Sequence, residues 1–398
     1  MRFSKRTEWN TEESALARAH RERVAAGLPV ADLTASNPTR CGFDYGATLL
    51  DALEDDRAQD YDPHPLGLRS AREAVCKYYA DHSVYGEPEQ VVLTTSTSEA
   101  YSYLFRLLCD PGTEILAPQP GYPLFDFLAV LDDVRLKNVP LVYDHGWQID
   151  AEGFRRAITA ETRAIMLVHP NNPTGHFTKP WEADVLAGLC REFELSLIVD
   201  EVFLDYPMLD GAEGSFARGL EGVPVYVVSG LSKIVGLPQM KAAWVIATGP
   251  QRSAAMERLE VIADTFLSMN APVQWAMGRW LEERQGIQEQ IRWRVQANLA
   301  ELDRQLALEP VVRRLSVEAG WYAVLRIAAI KPDEQTVREL LDEGVWVHPG
   351  YFFGMPEAGW LVVSLLGPEA EFGTGVTRLL NYLGKTQEGK KWAMRLNR

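Results

Sequence analysis

Cysteine is scarce in this chain and scattered. The four copies, Cys41, Cys76, Cys109 and Cys190, lie far apart, form no CxxC pair and join no Cys/His cluster. Neither a metal-ligand set nor a disulfide framework is expected, and reduced thiols in a cytoplasmic protein are the simpler reading. Positive charge is also short: 40 Lys and Arg face 55 Asp and Glu, a formal net charge of −15. That argues against nucleic acid or an anionic membrane as the main partner, since both are polyanions, but it leaves room for a local basic pocket that holds a small anion. No apolar run approaches the roughly 20 residues of a bilayer span. The opening stretch MRFSKRTEWN has no apolar signal region. Internal repeats and low-complexity segments are absent. No GxGxxG follows the early strands, which leaves a nicotinamide dehydrogenase without its main support. What remains is a composition that is 46% hydrophobic and 24% charged over 398 residues, as in a globular protein of two or three domains with a substantial core.

The pattern of apolar residues divides the chain. Residues 11–26 read as a helix closed by Gly27, leading to the polar turn Ser36-Asn37-Pro38-Thr39. Between residues 61 and 247, short β-branched runs alternate with helix-length stretches. Strands are expected at 91–94, 114–117, 164–168, 197–200, 225–229 and 243–247. They are apolar on both faces, which predicts a mainly parallel sheet covered by helices on both sides. Residues 251–308 turn strongly helical. Residues 317–380 mix strands with a helix near 333–342 and read as a smaller α+β unit.

Ligands in open α/β sheets bind beyond the carboxyl ends of the strands, so the residues just past each strand matter most. After the first come Thr95, Ser96 and Thr97 at a helix start, where free N–H groups suit an anion; an ordinary N-cap is the competing account. After the second, Pro118-Gln119-Pro120-Gly121-Tyr122-Pro123 presents one aromatic ring, either to a flat ligand or to the core. After the third, His169-Pro170-Asn171-Asn172-Pro173-Thr174-Gly175 holds two amides in a fixed frame; His169, at the end of a buried strand, reads as structural. After the fourth, Asp200 closes an apolar strand and must be paired or solvated; a cationic ring nitrogen or a helix cap would serve. After the fifth, Lys233 sits in a Gly/Ser turn where burial would ease loss of its proton, as a Schiff-base amine requires, although a lone Lys is usually a solvated surface group.

In this order and spacing the set resembles the fold type I aminotransferases of class I/II over about residues 32–380. The NNPTG turn and the Ser-Lys turn, followed eight residues later by a basic residue, carry the resemblance. It implies a large domain over residues 46–285 and a small domain made of 1–45 and 286–398. It implies a pyridoxal 5'-phosphate cofactor held as a Schiff base on Lys233, which also shuttles the proton. Asp200 would keep the pyridine nitrogen protonated, Asn172 would bond the phenolic oxygen and Tyr122 would stack on the ring. Thr95, Ser96, Thr97 and Lys241 would bind the phosphate. Tyr61, in YDPHPLGLRSA, would reach the phosphate of a neighbouring subunit, which implies a homodimer with shared sites. The activity implied is transfer of an amino group from an amino acid to an oxo acid.

Four positions depart from the family's pattern. Phe203 stands where Tyr is common, Gly230 where a phosphate-binding Ser is common, and Lys241 where Arg is more usual; Lys cannot grip a phosphate with two parallel bonds. Val362, two residues before Ser364, stands where the family carries the arginine that clamps the substrate carboxylate. Arg40 is a candidate replacement, against a plain surface arginine, and Ser36 would lie near the substrate. These departures keep open a non-transaminating enzyme of the same fold, catalysing β-elimination, γ-replacement, cyclisation or oxidation; a non-enzymatic cofactor sensor or scaffold on that fold is a third reading. Trp321, Tyr322, Tyr351 and Phe352 line the pocket or simply fill the core.

Overall fold

The computed structural model describes residues 2–208, 214–308 and 312–385. The chain opens with α1 (Ala15–Ala25), capped by the Ser14 hydroxyl, and the short strand β1 (Ala31–Asp32). Next come α2 (Arg69–Ala80), β2 (Val91–Thr94), α3 (Thr97–Leu108), β3 (Glu114–Gln119), α4 (Phe125–Leu131), β4 (Arg135–Tyr143), β5 (Trp147–Ile149), α5 (Ala151–Ala157), β6 (Thr162–Val168), α6 (Pro180–Glu192) and β7 (Ser196–Asp200). Beyond them lie β8 (Val225–Gly230), the one-turn α7 (Leu231–Ile234), β9 (Ala243–Thr248) and the helices α8 (Arg252–Phe266), α9 (Ala271–Glu282) and α10 (Arg284–Leu308). The last part holds β10 (Arg313–Arg314), β11 (Tyr322–Arg326), α11 (Asp333–Asp342), β12 (Val345–Trp346), β13 (His348–Pro349), β14 (Trp360–Ser364) and α12 (Glu369–Lys385).

Eight strands form one sheet in the order β2-β9-β8-β7-β6-β3-β4-β5, and four form a second in the order β10-β11-β14-β13. The pairs β8–β7, β7–β6, β6–β3 and β3–β4 are parallel. The all-apolar reading of these strands has a direct cause. Leu197 and Val199 of β7 enter one core while Ile198 enters the other, and Val225 and Val227 of β8 split from Tyr226 and Val228 in the same way. Each strand is therefore buried on both faces. Helix α3 supplies Tyr101, Leu104 and Phe105 to one side, and α2, α6 and α9 cover the other. That second core runs on without a break under the smaller sheet, through Val324, Val362 and Phe372.

Two differences from the pattern-based expectation have physical reasons. Strand β9 runs antiparallel to both neighbours; the link between Gly230 and Ala243 carries only the one-turn α7 and a 3-10 turn, with no helix long enough to cross back over the sheet. Strands β4 and β5 complete the sheet unannounced: β4 reads RLKNVPLVY, with only Val139 and Leu141 buried and Pro140 between them, as suits a strand near a sheet edge.

Candidate active site

The carboxyl ends of β3, β6, β7 and β8, with that of β2, lie on one edge of the sheet, so the loops leaving them converge there. Asp200 is the last residue of β7, and its alternation with Glu201 sends the two carboxylates to different tasks. Glu201 turns away to accept from Ser215 Oγ (2.7 Å) and the Phe216 N–H (2.6 Å). Asp200 is buried and accepts from Tyr101 Oη (2.7 Å) and the Val202 N–H (3.0 Å). Burial raises its pKa from 3.8 to about 6, opposed by those two hydrogen bonds and by Lys233.

Lys233 lies in α7, where Tyr206 Oη donates to its carbonyl (2.6 Å) and Gln288 Nε2 donates to that of Ile234 (2.9 Å). Its Nζ sits 5.0 Å from the centre of the Trp321 ring and 5.8 Å from that of Phe203. Burial lowers its pKa from 10.5 to about 8, and Asp200 is the charge that opposes the fall. The result is a buried amine and a buried carboxylate whose proton affinities burial draws toward neutrality. Such pairs cluster at reaction centres.

The amide loop divides its labour. Asn171 Nδ2 donates to the Pro120 carbonyl (3.1 Å) and to Thr174 Oγ1 (2.9 Å), which ties this loop to the turn carrying Tyr122. Among the described residues, the Asn172 side chain has no hydrogen-bond partner, and its Oδ1 is fully buried. Gly175, at φ +70°, lies so close to the Ala319 carbonyl that a Cβ there would collide with it. The loop is pinned from outside by Glu318, which accepts from the Phe177 N–H (2.9 Å) and Lys179 Nζ (2.7 Å). His169 is buried between Phe177 and Phe216 and accepts from the Thr178 N–H through Nδ1 (3.2 Å). Burial lowers its pKa to about 3, so it stays neutral.

On the anion side, Ser96 caps α3 by accepting from the Glu99 N–H (3.1 Å). The carboxylate of Glu99 turns back to accept from the Thr95 N–H (2.7 Å), Thr95 Oγ1 (3.0 Å) and Ser268 Oγ (2.8 Å). Thr97 and Ser98, the first residues of the helix, keep N–H groups that no intrahelical carbonyl can reach. Gly230 has a steric reason: a Cβ there would lie 2.8 Å from the Ala242 carbonyl oxygen and 2.8 Å from Ala243 Cβ. Lys241 is exposed, at φ 51°, and its side chain has no partner among the described residues.

The other candidates are spread around this centre. Tyr122 is half-buried, edge-on to Phe125, and feels the charge of Asp200. Ser36 meets the hydroxyl of Tyr322, whose ring stands 6.4 Å from that of Phe203. Arg40 is exposed on the turn Pro38–Arg40, its side chain free of partners among the described residues. Tyr61 is 83% exposed. Val362 is fully buried in β14, between Val324 and His348. Sequence reasoning missed Tyr101, Tyr206 and Glu99. Tyr101 and Glu99 carry no local signal beyond their place in an amphipathic helix. Tyr206, three residues after Phe203 in DEVFLDYP, was visible only as one more aromatic.

The family profile described as aminotransferase class I and II matches residues 48–379, and the chain belongs to that family. Enzymes of this class depend on pyridoxal phosphate. The alanine aminotransferase of Mycobacterium tuberculosis is 28% identical over 382 residues, which are 92% of this chain and 88% of that protein. Nicotianamine aminotransferase 1 of Oryza sativa subsp. japonica is 27% identical over 269 residues, and the match spans 64% of this chain and 53% of that protein. The match to the glutamate-pyruvate aminotransferase AlaA of Haemophilus influenzae, 28% identical, spans 66% of each. Among solved structures, an alanine aminotransferase from Pyrococcus furiosus superposes with a TM-score of 0.88 at 24% identity, covering 96% of this chain and 99% of that one. A mutant of the Thermus thermophilus aspartate aminotransferase gives 0.85 at 23% identity, covering 96% and 100%. The fold is theirs: an α/β unit with a mainly parallel sheet, joined to a smaller antiparallel one.

Proposed function

We propose that this chain transfers an amino group from an amino donor to an oxo acceptor, using pyridoxal 5'-phosphate held on Lys233. The observation that carries the reading is the buried pair Lys233 and Asp200, with the unbonded amide of Asn172 in the loop that leaves the neighbouring strand β6. These residues fit the cofactor by chemistry. An amine that deprotonates near pH 8 can attack a carbonyl, a buried carboxylate calls for a cation, and a free amide calls for a polar ligand atom. When bound, the cofactor supplies a carbonyl for the donor's nitrogen and an electron-withdrawing ring for the charge left on the donor carbon. Lys233 Nζ would carry the proton released from that carbon. Asp200 would accept from the ring N–H and keep it protonated, held ready by Tyr101. Asn172 would bond the phenolic oxygen without help from Phe203, which has no hydroxyl. Tyr122 would cover the ring. Thr95, Ser96, Thr97 and the free N–H groups of α3 would hold the phosphate with Lys241 as counter-charge.

The exposed Tyr61 supports a homodimer in which it reaches the neighbouring subunit's site. The four free cysteines support a cytoplasmic location. No helix among the described residues is long and apolar enough to cross a membrane, and no group of three or more His, Cys, Asp or Glu among them could hold a metal. The division into 46–285 against 1–45 and 286–398 is supported by β1, which pairs with β12 and ties the N-terminal segment to the C-terminal unit. Residues 1, 209–213, 309–311 and 386–398 lie outside the described residues.

The test is the visible spectrum of the purified protein with added pyridoxal phosphate. An amino donor should bleach the band, an oxo acid should restore it, and Lys233→Ala should abolish turnover while staying folded. A wild-type band that no amino donor alters would sink amino-group transfer and favour elimination, cyclisation or oxidation on the same scaffold.

A further inference from the structure

The centre around Lys233 holds almost no charge. Among the described residues, Asp200 is the one ionised group that acts on Lys233, and Lys233 is the one cation that acts on Asp200. The walls beside Nζ are the rings of Trp321 and Phe203, at 5.0 and 5.8 Å, with Tyr322 behind Phe203. Strand register says what lies further in. Tyr322 pairs with Ser364, and Val324 and His348 both pair with Val362, so these side chains share one face of the smaller sheet. Val324 and Val362 are fully buried there, and burial lowers the pKa of His348 to about 4, which leaves it neutral.

The arginines of the flanking segments point to other partners, Arg292 among them, whose Nη1 donates to the Asp205 carbonyl (3.5 Å). Arg326 lies 4.2 Å over the Trp360 ring and donates to the Ala358 carbonyl (2.8 Å). Arg294 donates to the carbonyls of Cys41 (3.1 Å) and Leu366 (3.3 Å). Arg40 faces solvent. A substrate whose amine-bearing carbon also carries a carboxylate would have to bury that anion beside valine and aromatic carbon, with only neutral groups such as the Ser36 and Tyr322 hydroxyls near it and no cation among the described residues left to pair it. A desolvated charge without a partner is strongly disfavoured, whereas an apolar group in the same place gains from burial.

We propose that the preferred amino donor of this site is a primary amine whose amine-bearing carbon has no carboxylate and carries an aromatic or aliphatic group. This rests on the amino-transfer reading above and narrows the donor. In that half-reaction R–CH2–NH2 becomes R–CHO. The carbon would lose a proton to Lys233 Nζ and two electrons, its bond to nitrogen would break, and water would supply the aldehyde oxygen. The cofactor's carbonyl carbon would take up the nitrogen, the two electrons and the proton carried by Lys233, and its own oxygen would leave as water.

The test uses the holoenzyme and ligand pairs that differ only in the carboxylate. The donor pairs are 2-phenylethylamine against L-phenylalanine and n-butylamine against L-norvaline, followed by spectral conversion and product. The unreactive pair is 3-phenylpropanol against 3-phenylpropionate, followed by calorimetric binding. The amine should exceed its amino acid in kcat/KM by about tenfold or more, and the alcohol should bind about tenfold tighter than the acid. Val362→Arg should reverse both preferences, and if that variant does not fold, the wild-type comparison decides. An amino acid that outpaces its amine in both pairs, or a tighter-bound phenylpropionate, overturns the substrate class while the transfer reading stands. If no donor of either kind converts the cofactor, the transfer reading falls and this inference with it.

Discussion

Tyr101→Phe isolates one hydrogen bond on which the site's electrostatics turn. Tyr101 Oη donates to Asp200 Oδ2 at 2.7 Å inside the core, and it opposes the burial that raises the Asp200 pKa from 3.8 to about 6. A hydrogen bond to an ionised acceptor contributes about 1.5–3 kcal/mol, and to a neutral one about 1, so about 0.5–2 kcal/mol falls on the ionised form alone. At about 1.36 kcal/mol per unit, the variant's Asp200 should titrate roughly half a unit to one and a half units higher. The assay is an infrared titration of the carboxylic C=O stretch in the cofactor-free protein, with Asp200→Asn to assign the band. Stability gives a second readout. Because the folded pKa lies above the unfolded one, the stabilisation linked to Asp200 is complete below about pH 3.8 and is lost as pH rises through about 6. In Tyr101→Phe the loss extends to higher pH, so its deficit against wild type should be small near pH 4 and largest near pH 8. A midpoint that stays put or falls, or a deficit that shrinks as pH rises, would refute the reasoning.

Three further outcomes are expected. Lys233 should react with an amine-modifying reagent in the cofactor-free protein with a half-maximal rate near pH 8 rather than 10.5, because burial lowers its pKa; a profile centred above pH 10 would contradict that. Gly230→Ala should destabilise the protein by about 1–3 kcal/mol in thermal denaturation, since the added methyl meets the Ala242 carbonyl and Ala243; an unchanged melting temperature would mean that the strands part at no cost. Glu318→Ala should remove the acceptor shared by the Phe177 N–H and Lys179, at about 1–3 kcal/mol. Hydrogen exchange at residues 171–178 should then speed up, and unchanged protection there would show that Glu318 does not pin the loop.

The parallel strands were readable because burial on both faces leaves a run such as residues 197–200 no polar position until it reaches the strand's end. The same logic exposed Asp200 and Lys233, since polar groups that end apolar strands stand out against them. Strand β4 was hidden because an edge position tolerates Arg135, Lys137 and Pro140. The antiparallel course of β9 was hidden because strand direction depends on the connection and leaves no mark on Ala243–Thr248 itself. Among the site residues, Asn171 and Asn172 look equivalent as neighbours in one turn. Only the Pro120 carbonyl, arriving from another part of the backbone, and Thr174 at the far end of the turn assign the first to structure and leave the second free.

Sequence alone determined the order of elements, the two-sided burial of the central strands and the identity of the groups at their ends, because these depend on residue type and spacing along the chain. Tertiary structure decided everything that depends on approach through space. Tyr101 reaches Asp200 from α3, Tyr206 holds the carbonyl of Lys233, and Trp321 comes from the smaller sheet to wall the amine. Glu318 locks the amide loop from the same direction. The proton affinities of Lys233 and Asp200 belong to this second class as well, because desolvation is a property of the packed interior and not of either residue.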